Sequence, residues 1–266
     1  MIIIGERINS SRKPVSRAIE KHDIKFIQEE ALRQIAASVD YLEINAGAFW
    51  EKETDYLRWL VVTVQEVSDK PLCIDTVNPT AAAIALRAHR GVALLNSISA
   101  DKKRYASMLP LVKEYGCGVI ALCSGSSEIP ESIDKRVNLG IELWDSLTHE
   151  GIAPNRIFLD PLAFPISVDQ GSATKLLTAM HHLKQARPQV QLICGISNVS
   201  FGLPSRSLLN RSLTTLAIYQ GLDAAILDPC DKELMASIIA TKALVGKDEY
   251  CLNYLEAYRQ GKLKVP

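Results

Sequence analysis

The sequence predicts an eight-fold (β/α)8 barrel, and three observations carry that expectation. Short apolar runs alternate with stretches of helical periodicity eight times along 266 residues. The runs are rich in Ile, Leu and Val without polar alternation, which is how strands covered on both faces of a parallel sheet read. Each run also ends on or beside a small polar or acidic side chain. In a closed barrel those endings converge on one mouth, the face at which such barrels carry their sites.

The first run is Ile2-Ile3-Ile4, leading into Gly5-Glu6-Arg7-Ile8-Asn9. Apolar pairs at helical spacing then fill 23–38 (Phe26-Ile27, Ala31-Leu32, Ile35-Ala36). Tyr41-Leu42-Glu43-Ile44 ends on Asn45 and is followed by Leu57, Leu60-Val61 and Val64. Leu72-Cys73-Ile74 ends on Asp75, and Asn78-Pro79 supplies a helix cap with proline in the first turn. Val92-Ala93-Leu94-Leu95 reaches Asn96, and Val119-Ile120-Ala121-Leu122 reaches Cys123-Ser124. Arg156-Ile157-Phe158-Leu159 ends on Asp160, Leu192-Ile193-Cys194-Gly195-Ile196 on Ser197-Asn198, and Ala224-Ala225-Ile226-Leu227 on Asp228. Helices are expected over about 79–89, 102–115, 132–149, 170–186, 206–220 and 231–244. The connections around 123–131, 161–170 and 198–205 are the longer ones and form the walls of the mouth. One domain is expected over 1–266, with about 247–266 an appended helix and short basic tail.

Thirty basic residues balance thirty acidic ones, with no basic stripe to meet nucleic acid. Six cysteines without a C-x-x-C pair read as reduced thiols of a cytoplasmic protein. The opening MIIIGERINSS is too short for a signal segment, and no window has the apolar length of a membrane helix.

The mouth set is Glu6, Asn9, Asn45, Asp75, Asn96, Asp160, Ser197, Asn198 and Asp228. Each member has two readings, as the cap or turn former of the segment that follows or as a ligand group. As a set they describe a polar small-molecule site. None of the five histidines (22, 89, 149, 181 and 182) falls in it, and no carboxylates stand at metal-ligand spacing. Cys123 and Cys230 near strand ends leave a thiolate zinc site as the minor alternative, and Gly195 with Gly202 a weak phosphate-binding turn. Carboxylates take paired hydrogen bonds from an amino-lactam edge, and carboxamides serve alternating donors and acceptors. The set therefore suits a flat heterocycle of purine or pterin type.

The order and spacing of Ile3-Ile4-Gly5-Glu6-Arg7-Ile8-Asn9, Glu43-Ile44-Asn45-Ala46-Gly47, Cys73-Ile74-Asp75-Thr76-Val77-Asn78, Leu95-Asn96-Ser97, Leu159-Asp160-Pro161 and Gly195-Ile196-Ser197-Asn198-Val199-Ser200 resemble the methyltetrahydrofolate:corrinoid protein methyltransferases. These belong to the pterin-binding barrel superfamily, and the likeness runs from residue 1 to about 255. The resemblance implies that tetrahydrofolate or 5-methyltetrahydrofolate is the substrate. It implies a corrinoid (cobalamin) carried by a separate protein and homodimeric assembly, while the residues themselves suggest no bound metal. It places Asp75, Asn96 and Asp160 on the pterin edge and Asn198 at the methyl-bearing nitrogen. Gly195 and Ser197 would line the pocket, and Arg206 would lie toward the aminobenzoyl-glutamate tail. The chain departs from the family at Glu43, where Asp is usual, at Phe201, and at Leu122-Cys123-Ser124-Gly125-Ser126-Ser127. Cys123 and Phe201 are expected at the rim. Two alternatives stand beside this reading: a dihydropteroate synthase and a non-catalytic folate-binding partner of a corrinoid complex. The synthase would want a lysine after the Asp160-Pro161 turn and a basic group after Ser197-Asn198, and the chain has neither.

Overall fold

A computed structural model describes residues 1–125 and 132–263. Eight parallel strands close into one barrel in sequence order. They are β1 (Ile2–Asn9), β2 (Tyr41–Asn45), β3 (Leu72–Asp75), β4 (Leu94–Ser99), β5 (Gly118–Leu122), β6 (Ile157–Asp160), β7 (Gln191–Gly195) and β8 (Ala224–Leu227). Pairing of β1 with β8 shuts the ring. Around it run α1 (Lys13–Glu20), α2 (Ile24–Ala36), α3 (Glu53–Gln65), α4 (Pro79–Ala88), α5 (Lys102–Tyr115), α6 (Ile133–His149), α7 (Ser172–Ala186), α8 (Arg206–Tyr219) and α9 (Lys232–Leu244). A last helix, α10 (Leu252–Arg259), packs on α9.

Strand parity sorts the core into two clusters, because successive side chains point to opposite faces. Ile4, Cys73, Leu94, Ile120, Phe158, Ile193, Ala224 and Ile226 fill the inside of the barrel. Their neighbours, such as Leu42, Ile44, Ile74, Leu95, Val119, Leu159 and Leu192, pack outward against the helices. The middle of the barrel is thus filled by side chains.

Local chemistry sets the helix starts. Asn78 accepts hydrogen bonds from the amides of Thr80 and Ala81, with Pro79 in the first turn, as the sequence predicts. Asp23, Asp101, Ser132 and Asp231 cap α2, α5, α6 and α9 in the same way. Gly151, at φ 87°, follows the end of α6 and turns the chain into the next connection.

Two sequence expectations need correction. The sequence marks no helix between β1 and α2, yet Lys13–Glu20 forms one that buries Val15, Ala18 and Ile19. Cys123 is not at the rim: it is fully buried on the outward side of the barrel, where its Sγ faces Gly140 of α6. Parity explains this, since Leu122 packs with the inside cluster and the next residue must point the other way. Ser126 and Ser127 of the same connection lie outside the described residues, as does the end of the basic tail at 264–266.

Candidate active site

The strand register builds the floor of the mouth. Asn9 pairs with Asn45, Asn45 with Asp75 and Asp75 with Asn96, so four polar residues stand side by side across β1 to β4. Asn45 serves its neighbours: its Nδ2 donates to Asp75 Oδ2 at 2.8 Å, and its Oδ1 accepts from Ser10 Oγ at 2.9 Å and from the Gly47 amide at 3.0 Å. One carboxylate oxygen of Asp75 is thereby fixed. Below the turn that follows β3, buried Glu53 accepts from Thr76 Oγ1 at 2.5 Å, and that hydroxyl in turn accepts from the Asn78 amide at 3.0 Å.

Glu43, two residues before Asn45, faces the same side and is buried beneath this row. Its Oε1 accepts from Asn96 Nδ2 at 3.3 Å. Burial first, then the charges of Asp75 and Glu6, hold its carboxyl well above the usual carboxylate range. Burial also raises Asp75 to about 6, against the opposing effects of the Asn45 hydrogen bond and the Arg104 charge. Arg104 approaches from α5 and is itself anchored, with Nε on Ser97 O at 3.0 Å and Nη2 on Ser97 Oγ at 2.7 Å.

Across the mouth, Asp160 ends β6. Its Oδ1 accepts the Leu162 amide at 2.7 Å, and burial raises its carboxyl to about 7 despite that bond and the nearby charge of Arg136. Arg136, buried on α6, holds the connection after Asp160 through the carbonyls of Pro161 and Leu162 at 3.0 and 3.3 Å. After β7 the chain makes a single 3-10 turn over Ile196–Asn198. Ser197 Oγ donates to Glu6 Oε1 at 2.5 Å, linking the turn to β1 across β8. Asn198 is exposed, and its carboxamide folds over Gly195: a Cβ at Gly195 would sit 3.0 Å from Asn198 Nδ2. Glycine at 195 thus keeps the space into which Asn198 reaches.

Of the residues that the sequence places in the site, Asp75 and Asn96 are register partners, and Asp160 stands two strands beyond Asn96. Gly195, Ser197 and Asn198 share one turn. Arg206 turns inward: Nη2 donates to Ser197 O at 2.6 Å and Nε to Ser200 Oγ at 3.0 Å, while its guanidinium lies 6.0 Å from the Phe201 ring. Phe201 stands 65% exposed at the rim, as expected. Asn9 and Asp228 are both engaged within the protein. Asn9 accepts from the amide and hydroxyl of Ser11; Asp228 accepts the Cys230 amide at 2.9 Å and pairs with Arg7 at 2.7 Å. Arg7 also pairs with buried Glu30 of α2. Sequence reasoning missed Glu43 and Arg104 as members of the site. The period-2 spacing from Asn45 would have found Glu43; nothing in the sequence marks Arg104.

Among the described residues no three His, Cys, Asp or Glu side chains cluster as a metal site, and no helix is long and apolar enough to cross a membrane. The histidines lie away from the mouth; His22 packs on Tyr56 and Trp59, and His89 Nε2 accepts the Leu72 amide at the start of β3.

Comparison with known proteins adds a family. The family model described as "Pterin binding enzyme" matches residues 5–228. The chain is 33% identical over 265 residues to the methylcorrinoid:tetrahydrofolate methyltransferase of Eubacterium limosum, covering 99% of this chain and 98% of that protein. It is 27% identical over 239 residues to the methionine synthase of Mycobacterium leprae (strain TN), which spans 85% of this chain and 20% of that much longer one. Among solved structures, dihydropteroate synthase from Xanthomonas albilineans in complex with 7,8-dihydropteroate superposes with a TM-score of 0.73 at 18% identity over 93% of each chain. The Yersinia pestis enzyme gives 0.69 at 18% identity, over 91% of this chain and 93% of that one. At such identities the likeness is one of fold.

Proposed function

From the premise that this chain belongs to the pterin binding enzymes, we propose that it moves a methyl group between the cobalt of a corrinoid protein and N5 of tetrahydrofolate, in the direction of tetrahydrofolate. It is a methyltransferase of the methylcorrinoid:tetrahydrofolate type, and its 33% identity to such an enzyme over essentially both full lengths is the observation that carries this reading. The direction follows that relative's name. The whole of 1–266 acts as one pterin-binding domain, in the cytoplasm, where the six free cysteines stay reduced.

The mouth fits a pterin. Asp160 and Asp75 accept from the amino-lactam donors of the ring, and the Asn96 carboxamide meets the alternating edge beside them. Gly195 and Ser197 line the wall, and Arg206 braces that turn through Ser197 O and Ser200 Oγ. Because the barrel interior is filled, the corrin must approach from outside, carried by its own protein, over a rim that includes the exposed Trp50, Val77 and Phe201. The corrinoid supplies the methyl group, whose bond to cobalt breaks with both electrons left on the metal. N5 forms the new bond with its lone pair and gives up one proton. Asn198 holds N5 throughout, since its carboxamide accepts from N5–H before transfer and donates to the tertiary amine in the reverse direction. Asp75 and Asp160 titrate at about 6 and 7, where the liberated proton must be exchanged.

The expected effect of Asn198→Ala is a fall of about 100-fold in single-turnover methyl transfer, with a smaller rise in the tetrahydrofolate dissociation constant from loss of the N5–H contact. An unchanged single-turnover rate would remove Asn198 from the chemistry. A dihydropteroate synthase shares the barrel, but the Asp160-Pro161-Leu162-Ala163-Phe164-Pro165 and Ser197-Asn198-Val199-Ser200 turns bring no lysine to the mouth.

A further inference from the structure

Glu6 stands in the mouth with one carboxylate oxygen unused. The strand register fixes its place. Ile4 of β1 pairs with Ile226 of β8, and Ile226 with Gly195 of β7, so the three share a layer. Two residues on from them lie Glu6, Asp228 and Ser197, one layer up toward the mouth. Asp228 is committed, with Oδ1 on the Cys230 amide and Oδ2 on Arg7. Glu6 therefore spans β8, and its Oε1 accepts from Ser197 Oγ at 2.5 Å. Oε2 has no hydrogen-bond partner among the described residues, and Glu6 keeps partial exposure to the mouth. Neither nearby arginine closes on it: Arg12 Nη1 donates to the Arg7 carbonyl at 3.2 Å, and Arg206 is spent on Ser197 O and Ser200 Oγ.

Methyl transfer leaves a task for that oxygen. N5 gives up a proton as it takes the methyl. Asn198 accepts from N5–H, but a carboxamide does not keep a proton, and Asp75 and Asp160 are engaged by the donors of the ring edge. We propose that Glu6 is the general base of the reaction, taking the N5 proton on Oε2, directly or through one water, and returning it when transfer runs the other way. The proposal rests on the methyl-transfer reading and adds a catalytic residue to it. The step balances. N5 forms the bond to methyl with its lone pair, the electrons of the N5–H bond stay on nitrogen, and the Glu6 carboxylate becomes a carboxylic acid. The electron pair of the broken bond to methyl stays on the cobalt. Ser197 supplies the placement, since it ties Glu6 to the residue before Asn198 and puts base and N5 holder on one turn. The surroundings suit proton exchange. Burial first pushes the Glu6 carboxyl above the usual carboxylate range. The Ser197 hydroxyl opposes that, Asp228 of β8 adds to it, and Arg12 after β1 and Arg206 of α8 oppose it again. Glu43 of β2 is the remaining carboxyl that feels the Glu6 charge.

Single-turnover transfer from methylcobalamin to tetrahydrofolate, followed between about pH 5 and 9 at saturating folate, tests this. Saturation takes the ionisations that govern binding, those of Asp75 and Asp160, out of the profile. The wild-type rate should rise with pH to a plateau, because the base must be ionised to accept. Glu6→Gln keeps an acceptor for Ser197 Oγ but cannot take a proton. It should lower the plateau about 100-fold and abolish the rising limb, with tetrahydrofolate affinity and far-UV circular dichroism kept. Ser197→Ala removes the hydrogen bond that favours the carboxylate, so its limb should move to higher pH, a readout that does not depend on how Glu6→Gln folds. A Glu6 that only anchors the turn would leave the limb in place in both variants. Wild-type rate or a persistent limb in Glu6→Gln, or an unmoved limb in Ser197→Ala, would overturn the assignment of Glu6 while methyl transfer itself stands. A wild type that binds tetrahydrofolate and makes no 5-methyltetrahydrofolate at any pH would instead overturn the methyl-transfer reading, and this proposal with it.

Discussion

Asp160 is the residue whose ionisation matters most for substrate binding. Burial raises its carboxyl to about 7, so near neutrality the empty site is partly protonated. A pterin that donates two hydrogen bonds to this group favours the carboxylate, and binding below pH 7 must therefore release a proton. The sign follows: tetrahydrofolate affinity should rise as pH climbs from 6 to 8 and level off above the raised pKa. Calorimetry at pH 6.5 in buffers of different ionisation enthalpy should register the released proton. Asp160→Asn puts an amide donor opposite a ring donor. It should weaken binding by about 1.5–3 kcal/mol, roughly 10- to 150-fold, and flatten the pH dependence. Affinity that falls with rising pH would mean that the neutral acid binds the ring.

Between α6 and the barrel wall, packing leaves no slack. A Cβ at Gly140 would lie 2.7 Å from Cys123 Sγ and 3.1 Å from Leu183 Cδ2, both in the buried cluster. Gly140→Ala gains up to about 1 kcal/mol of helix propensity but overpacks the core by about 1–3 kcal/mol. The melting temperature should fall by a few degrees and recover when Cys123→Ala is added; a rise in the single variant would show that the wall yields. The same contact marks what sequence reading lost. Cys123 follows an inward-facing Leu122, so its burial against α6 follows once the parity of β5 is known, and parity is hard to read in a strand that is apolar on both faces. Helix α1 escaped for another reason: eight residues with three buried positions are shorter than the window in which helical periodicity stands out. The long helices were legible because their caps and apolar stripes agree, as Asp101 and Lys102–Tyr115 do.

At the scale of the molecule, the barrel was legible because each strand announced its end with a polar residue, and those endings are the floor of the mouth. Asp75 and Asn96 could be placed together from strand order alone. Glu43 needed one step more, the period-2 alternation that puts it on the same face as Asn45, and the structure places it against Asn96. Arg104 reaches the site from the first turn of α5, a geometry that no spacing encodes. The central claim is methyl transfer at this mouth, and one anaerobic spectrum addresses it: the protein, methylcobalamin and tetrahydrofolate, followed by absorbance and by chromatography of the folate. The expected result is loss of methylcobalamin, appearance of cob(I)alamin and an equal amount of 5-methyltetrahydrofolate. Tight pterin binding without transfer in either direction, or condensation of p-aminobenzoate with a pterin pyrophosphate instead, would contradict it.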